Sequence, residues 1–413
     1  MRFFVIGSIL LAASSVVQGL MPADAPHVKW KFKTDGPVIS SPCYLDGNLF
    51  FGSSDSFLYA VDTATGKQKW KFETNGAITG SPVIHGGALF FGSWDGFLYA
   101  VDVKTGKQQW KFQLGFERKF QAKHIHGHFP AEQTIPDAWD FFTSTPTIAE
   151  GKVVIGSGDG NVYAVSENEG KLAWKFKTGD VVHASPTIGN ELVYIGSWDS
   201  RFYAINLHTG KQKWVFQAGL DPERHNQEGF QGSATLKGET IFVGCRDNHV
   251  YALDAMTGAK KWAFSQGTGW TSNRPLVTED TVWVGSNPFR GLDIKTGALK
   301  VDTKKTGTFS SPISSGSTGY IGTLLGSLFA FDTNTGEMKW EFQTDARRAD
   351  PMKLLDSTGK YNPEAVAPVF GDFQDDYILM YKRFSLGSII STPVVVGGII
   401  YVGSTDGYCY ALE

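Results

Sequence analysis

The sequence predicts an all-β fold: an eight-bladed β-propeller with four-stranded antiparallel blades, its ring closed by the N-terminal strand. Three observations predict it. Trp30, Trp70 and Trp110 stand 40 residues apart, and Trp174 and Trp214 repeat the interval. Around each Trp the same unit returns: W-K-F-x-T-G, a Ser-Pro pair, an apolar run ending F-G-S-x-D-G, then L-Y-A-V-D and T-G-K. The chain of 413 residues also holds 12 Trp and 48 Gly, a glycine share well above the usual roughly 7%, with no Gly-X-Y period.

Each piece of the unit has a mechanical role. Ser41-Pro42, Ser81-Pro82, Thr145-Pro146, Ser185-Pro186, Ser311-Pro312 and Thr392-Pro393 begin a first strand, where a missing N–H is tolerated. Runs such as Leu49-Phe50-Phe51-Gly52-Ser53 form a second. Asp95-Gly96 and Asp159-Gly160 turn the chain into a third strand such as Leu98-Tyr99-Ala100-Val101-Asp102. Thr65-Gly66-Lys67 and its copies turn into the fourth strand, which carries the Trp. Val301 occupies the one skipped Trp position.

Counting strand triplets gives eight units, beginning near Val38, Ile78, Phe142, Val182, Phe230, Thr271, Phe309 and Ile389. The last unit stops at Tyr410-Ala411-Leu412 without a fourth strand. The first is preceded by an orphan fourth strand, Val28-Lys29-Trp30-Lys31-Phe32. Pairing the two closes the ring and removes both exposed edges. One domain is expected over residues 26–413.

The rest of the composition narrows the function. Lys plus Arg number 38 against 41 acidic residues, a formal net charge of −3, which leaves no electrostatic footprint for nucleic acid. Cys43, Cys245 and Cys409 are far apart, without CxxC or CxxCH spacing, and read as small buried hydrophobes. There is no GxSxG elbow, HExxH or P-loop. Met1-Arg2, the apolar run 3–13 and the small-residue exits at Gly19 or Ala25 read as a secretory signal peptide over residues 1–25. The core is short for a transmembrane span, and no Cys follows it to carry a lipid anchor. A periplasmic or secreted protein, monomeric in solution, is the expectation.

The repeat resembles a known family. Leu98-Tyr99-Ala100-Val101-Asp102, Thr105-Gly106-Lys107 and Trp110 look like the tryptophan-docking repeat of PQQ-like propellers, which include quinoprotein alcohol dehydrogenases and the outer-membrane assembly factor BamB. The resemblance covers nearly the whole mature chain, with weaker copies at 285–288 and 322–325. It implies the fold strongly. It does not imply one function, because the repeated residues hold blades together in members with and without a cofactor.

Departures from the 40-residue period point to a face. All three fall in the connection from a fourth strand to the next first strand, at 114–141, 218–229 and 344–386. These connections emerge on the same side as the turns between second and third strands. Enlarged loops on a rigid scaffold carry binding and catalysis. The first contains His124, His126 and His128 with Trp139; the second contains Arg224 and His225. His183, Trp270 and Arg274 belong to first-strand entries on that side, and Trp94 and Trp198 to its turns. The longest loop is open to two readings, a lid or a short helix at 350–356. Its acidic group Asp372, Asp375 and Asp376 reads as a solvated face.

Three functions compete for this face. The leading one is an exported, non-catalytic propeller that binds a protein partner or ligand there, in envelope or outer-membrane protein assembly if it follows BamB. The second is a PQQ-binding protein or atypical quinoprotein oxidoreductase. The resemblance implies that such enzymes stack the quinone on a Trp, cover it with a disulfide of adjacent cysteines and hold Ca²⁺. Trp139 or Trp270 would be the floor, and Arg224 or Arg274 would pair a carboxylate, but no two cysteines are adjacent. The third is a sensor in which H-x-H-x-H, if extended, turns three imidazoles to one side for Zn²⁺ or Cu²⁺. No metal is assigned.

Overall fold

The computed structural model describes residues 25–413, except 268, 286–287, 304–307, 360–361, 363–364 and 366–372. The predicted signal segment, apart from Ala25, lies outside the described residues, and so do 286–287 of the weak sixth copy.

Eight four-stranded antiparallel sheets follow one another around an axis. Blades 1 to 7 span 43–73, 83–113, 147–177, 187–217, 235–265, 276–302 and 313–343. Blade 8 joins three C-terminal strands from 394–412 to the N-terminal strand Val28–Lys33, which pairs antiparallel with Tyr408–Leu412. The predicted closure is therefore present, and the N-terminal strand covers the edge that Tyr408–Leu412 would otherwise expose.

Burial explains the residue choice in each strand. Third strands such as Phe57–Asp62 and Phe97–Asp102 are buried on both faces over four successive residues, because neighbouring blades cover them on each side. Fourth strands such as Gln108–Gln113 alternate, with one face toward solvent. The core consequently lies between blades. Phe50, Leu58 and Ala60 of blade 1 pack with Leu89, Phe91 and Tyr99 of blade 2, and Ile78 sits in the same cluster.

The repeated Trp fastens each blade to the next. Trp174 donates Nε1–H to the Leu207 carbonyl (2.8 Å) and lies over Gly210, whose φ of 69° needs glycine and whose added Cβ would sit 2.8 Å from the ring. Trp110 and Trp214 make the same bond to Glu167 and Ala255. At the skipped position a different residue does the work. Trp283, from the second strand of blade 6, is fully buried, donates to the Thr333 carbonyl (3.1 Å) and approaches Gly336 beside Val301.

Candidate functional site

The three insertions sit on one face, above the axis. In the first, Gln121–Lys123 and Thr134–Pro136 form a hairpin around a 3-10 turn at Ile125–Gly127. His124 and His126 adopt left-handed backbone (φ 52° and 54°), so the H-x-H-x-H segment is a turn and its imidazoles diverge. The extended form that would turn three imidazoles to one side is therefore not adopted. His124 Nδ1 contacts the Glu223 carbonyl (3.0 Å), and His126 bridges Asn226 Oδ1 (2.9 Å) and Asp137 Oδ1 (3.1 Å). His128 is buried with neither ring nitrogen hydrogen-bonded among the described residues. No group of three or more His, Cys, Asp or Glu among those residues is placed to share a metal ion.

These histidines instead tie the first insertion to the second. His126 N–H also donates to the Arg224 carbonyl (2.8 Å), and Phe120 meets His225 edge-on. His225 Nδ1 pairs with Glu228 Oε1 (2.5 Å), while Asp221 accepts the backbone N–H groups of Arg224, Asn226 and Gln227. The loop is thus internally fixed, with the Arg224 side chain exposed.

Beneath them lies a buried charge network that the sequence reading found only at His183 and His126. His183 is clamped between Asp140 (Nδ1 to Oδ1, 2.6 Å) and Glu117 (Nε2 to Oε1, 2.7 Å). Burial opposes protonation of the ring, but the two carboxylates outweigh it and push its pKa up to about 10. Phe120 N–H donates to Asp140, and Gly158 N–H and the Ser157 hydroxyl donate to Glu117, so both acids are satisfied. The edge of Trp94 packs against the imidazole at 5.4 Å.

A second centre adjoins it. Arg246, with no exposed surface, donates to Asp137 Oδ2 at 2.7 Å. Its guanidinium lies between the rings of Trp198 (4.5 Å) and Trp270 (3.9 Å), and Phe120 stacks on Trp198 at 4.6 Å and 10°. Desolvated cation–π contacts of this kind contribute about 2 kcal/mol. Burial raises the Asp137 pKa, yet Arg246 and His126 hold the carboxyl well below the usual carboxylate range. Burial lowers the pKa of nearby Lys119, with Asp140 and Asp137 offsetting part of that effect.

A hydrophobic cap covers the axis. Ala138, Trp139 and Phe141 pack with Ile39, Leu324 and Ile390 and with Phe142 and Phe309; Tyr377, Leu379, Met380 and Phe384 come from the helix Phe373–Ser385. The third insertion therefore lays a helix across the first. A helix also spans Asp345–Ala349, while 350–356 holds turns and an isolated bridge, so no helix forms there. Asp372 and the side chains of Asp375 and Asp376 lie outside the described residues.

Below the cap is an axial cavity of about 620 Å³. Each blade contributes the residue three before its Ser-Pro proline or that proline's equivalent: Ile39, Thr79, Thr143, His183, Gln231, Ser272, Phe309 and Ile390. The apolar members lie under the cap.

The residues expected to hold a quinone do not frame one site. Of Trp139, Trp270, Arg224 and Arg274, only Arg274 lines the axial cavity. Trp139 is covered by Phe309 (6.0 Å, 16°) and Arg383 (5.0 Å), and Trp270 carries Arg246 on its ring. Cys43, Cys245 and Cys409 are all free thiols. The donor set does not fit PQQ in the way the resemblance implies.

One signal for Arg246 was present in the repeat. It occupies the variable position of the second-to-third turn, in Gly244-Cys245-Arg246-Asp247, where blades 2 and 4 carry Trp94 and Trp198. Asp137, Asp140 and Glu117 had no such marker, because the His183 and Arg246 side chains they meet are 43 to 109 residues away.

Comparison with known proteins agrees with this architecture. The family model described as outer membrane protein assembly factor BamB matches residues 20–126 and 117–342. No curated protein sequence matches the chain. Among solved structures, BamB from Moraxella catarrhalis superposes with a TM-score of 0.67 at 15% identity, over 94% of this chain and 99% of that one. The computationally designed Ika8 protein gives 0.65 at 13%, covering 92% and 98%. Quinohemoprotein alcohol dehydrogenase from Comamonas testosteroni gives 0.64 at 15%, covering 94% and 76%. At such identities the neighbours show the fold alone, since a designed chain, an assembly factor and an enzyme score alike. The family match, which spans well over half the chain, makes it a member of the BamB family of PQQ-like β-propellers.

Proposed function

We propose that this is an exported, non-catalytic propeller that docks a protein partner on the face built by its three insertions, in assembly of the cell envelope. One observation carries the reading. Among the described residues, eleven large apolar side chains are exposed, and six of them lie on the insertions: Phe116, Phe129, Leu220, Met352, Ile378 and Tyr381. Phe116 is 81% exposed, and Phe129 and Tyr381 are 65% exposed. Aromatic side chains held out from a fixed base are the anchors that interfaces use. The base here is fixed, because the first two insertions are hydrogen-bonded to each other, the third packs its helix on the first, and buried charge lies beneath. Family membership supports an outer-membrane assembly partner, and residues 1–25 support export.

A combined Phe116→Asp, Phe129→Asp and Tyr381→Asp variant should keep the wild-type melting temperature, since these rings contribute little to the core. It should lose the envelope protein that the wild type recovers after crosslinking in cells. Retention by this variant, with loss on reversing Lys67, Lys107 and Lys211 of the opposite Thr-Gly-Lys face, would overturn the reading. Deleting residues 1–25 should leave the chain in the cytoplasmic fraction.

A further inference from the structure

The axial cavity has a chemistry that protein docking on the capped face does not use. Its wall carries a ring of hydroxyls at the residue preceding each first-strand proline, or preceding Ala234 in blade 5. Ser41 N–H donates to Ser81 Oγ (2.9 Å), Ser81 to Thr145 (3.0 Å), Thr145 to Ser185 (3.0 Å), and Ser185 to Ser233 (3.2 Å). Thr392 N–H donates in the same way to Ser41 Oγ (2.8 Å). Each hydroxyl that accepts a neighbour's N–H keeps its own proton to donate inward.

The ring is interrupted once. In blade 6 the equivalent residue is Arg274, whose N–H still follows the pattern by donating to Ser311 Oγ (3.0 Å). Its Nε is anchored on the Ala234 carbonyl of blade 5 (3.1 Å), and the side chain lines the cavity. No Asp or Glu is among the described residues lining it. Arg274 is exposed to the channel, and no described carboxylate pairs with it. The other basic residues on the wall are already matched: His183 by Asp140 and Glu117, and His85 by Glu167. His85 is exposed, so the cavity reaches solvent at the end away from the cap.

We propose that this channel binds a small carboxylate- or phosphate-bearing anion, with the Arg274 guanidinium pairing the anionic group and the ring hydroxyls donating to its oxygens. A cavity of about 620 Å³ matches the usual size of a small-molecule site, roughly 300–1,000 Å³. A donor-lined wall without acids rejects cations and rewards acceptors. Guanidinium recognises planar carboxylate and phosphate through paired N–H bonds.

Isothermal titration of the full chain with citrate, inorganic phosphate and sorbitol 6-phosphate, with sorbitol and spermidine as controls, tests this. At least one anion should bind one-to-one, and neither control should bind. Arg274→Ser restores the eighth hydroxyl, so the variant should fold normally yet weaken anion binding about tenfold or more. Arg274→Lys should fall between the two. The top-face triple variant should bind the anion as the wild type does, which separates this site from the docking face. Unchanged affinity in Arg274→Ser, or no binding tighter than about 1 mM by any anion in the panel, overturns the proposal.

Discussion

Protonation of the buried His183 sets a pH dependence of stability. The ring is fully buried, bonded through both nitrogens to Asp140 and Glu117, and held charged to about pH 10. In an unfolded chain it would titrate near 6.5. A folded-state pKa raised in this way gives stability that is complete below about 6.5 and is lost as pH climbs toward 10. At 1.36 kcal/mol per pH unit, the loss is at most about 5 kcal/mol. His183→Gln keeps a hydrogen-bonding amide but removes the charge, leaving two buried carboxylates without a cation. Thermal melts of wild type and variant, followed by tryptophan emission from pH 6 to 10, isolate the effect, because Lys119 and the tyrosines titrate in both. The variant should melt lower at pH 6, by no more than about 10 °C. The gap should narrow steadily as the wild-type imidazolium discharges. A gap that stays constant across the range, or widens, would refute the assignment of a buried imidazolium.

Two further expectations concern neighbouring interactions. Arg246→Met should destabilise by about 3–5 kcal/mol, because Asp137 is left buried without the guanidinium and with only His126 beside it, whereas adding Asp137→Asn should recover much of that loss; simple additivity in urea melts would count against the pair. Gly210→Ala should cost clearly more than Gly238→Ala. Both positions have positive φ, but only at Gly210 does the new Cβ meet a ring, that of Trp174 at 2.8 Å, while nothing lies within 4 Å at Gly238. Equal melting-temperature losses would show that the Trp does not dock as described.

The blades were legible because a propeller repeats short-range information. Trp spacing, Ser-Pro entries and Thr-Gly turns each report a local geometry, and their recurrence averages out local exceptions. Even the orphan strand at Val28 could be paired by counting. The one irregular docking position resisted, since Trp283 reaches Thr333 from a different strand of its blade and breaks the period. The elaborated face followed from insertion lengths. Its contents did not: Trp139 is buried under Phe309, Trp270 is half-buried with Arg246 on its ring, and the three histidines of the first insertion scatter because left-handed backbone at His124 and His126 turns the chain.

What the sequence determined by itself was the scaffold and the side of it that varies, because strand period, turn chemistry and strand closure are all encoded within about 40 residues. Only the tertiary structure decided which charges meet. Glu117, Asp140 and His183 come from two separate stretches, and Arg246 finds Asp137 across 109 residues. Such pairs form because a charge excluded from water must find its opposite, and chain order carries no record of where the insertions fold back over the axis. The same holds for Arg274. In sequence it is one basic residue before a proline, and in the ring it becomes a cation facing a channel of hydroxyls.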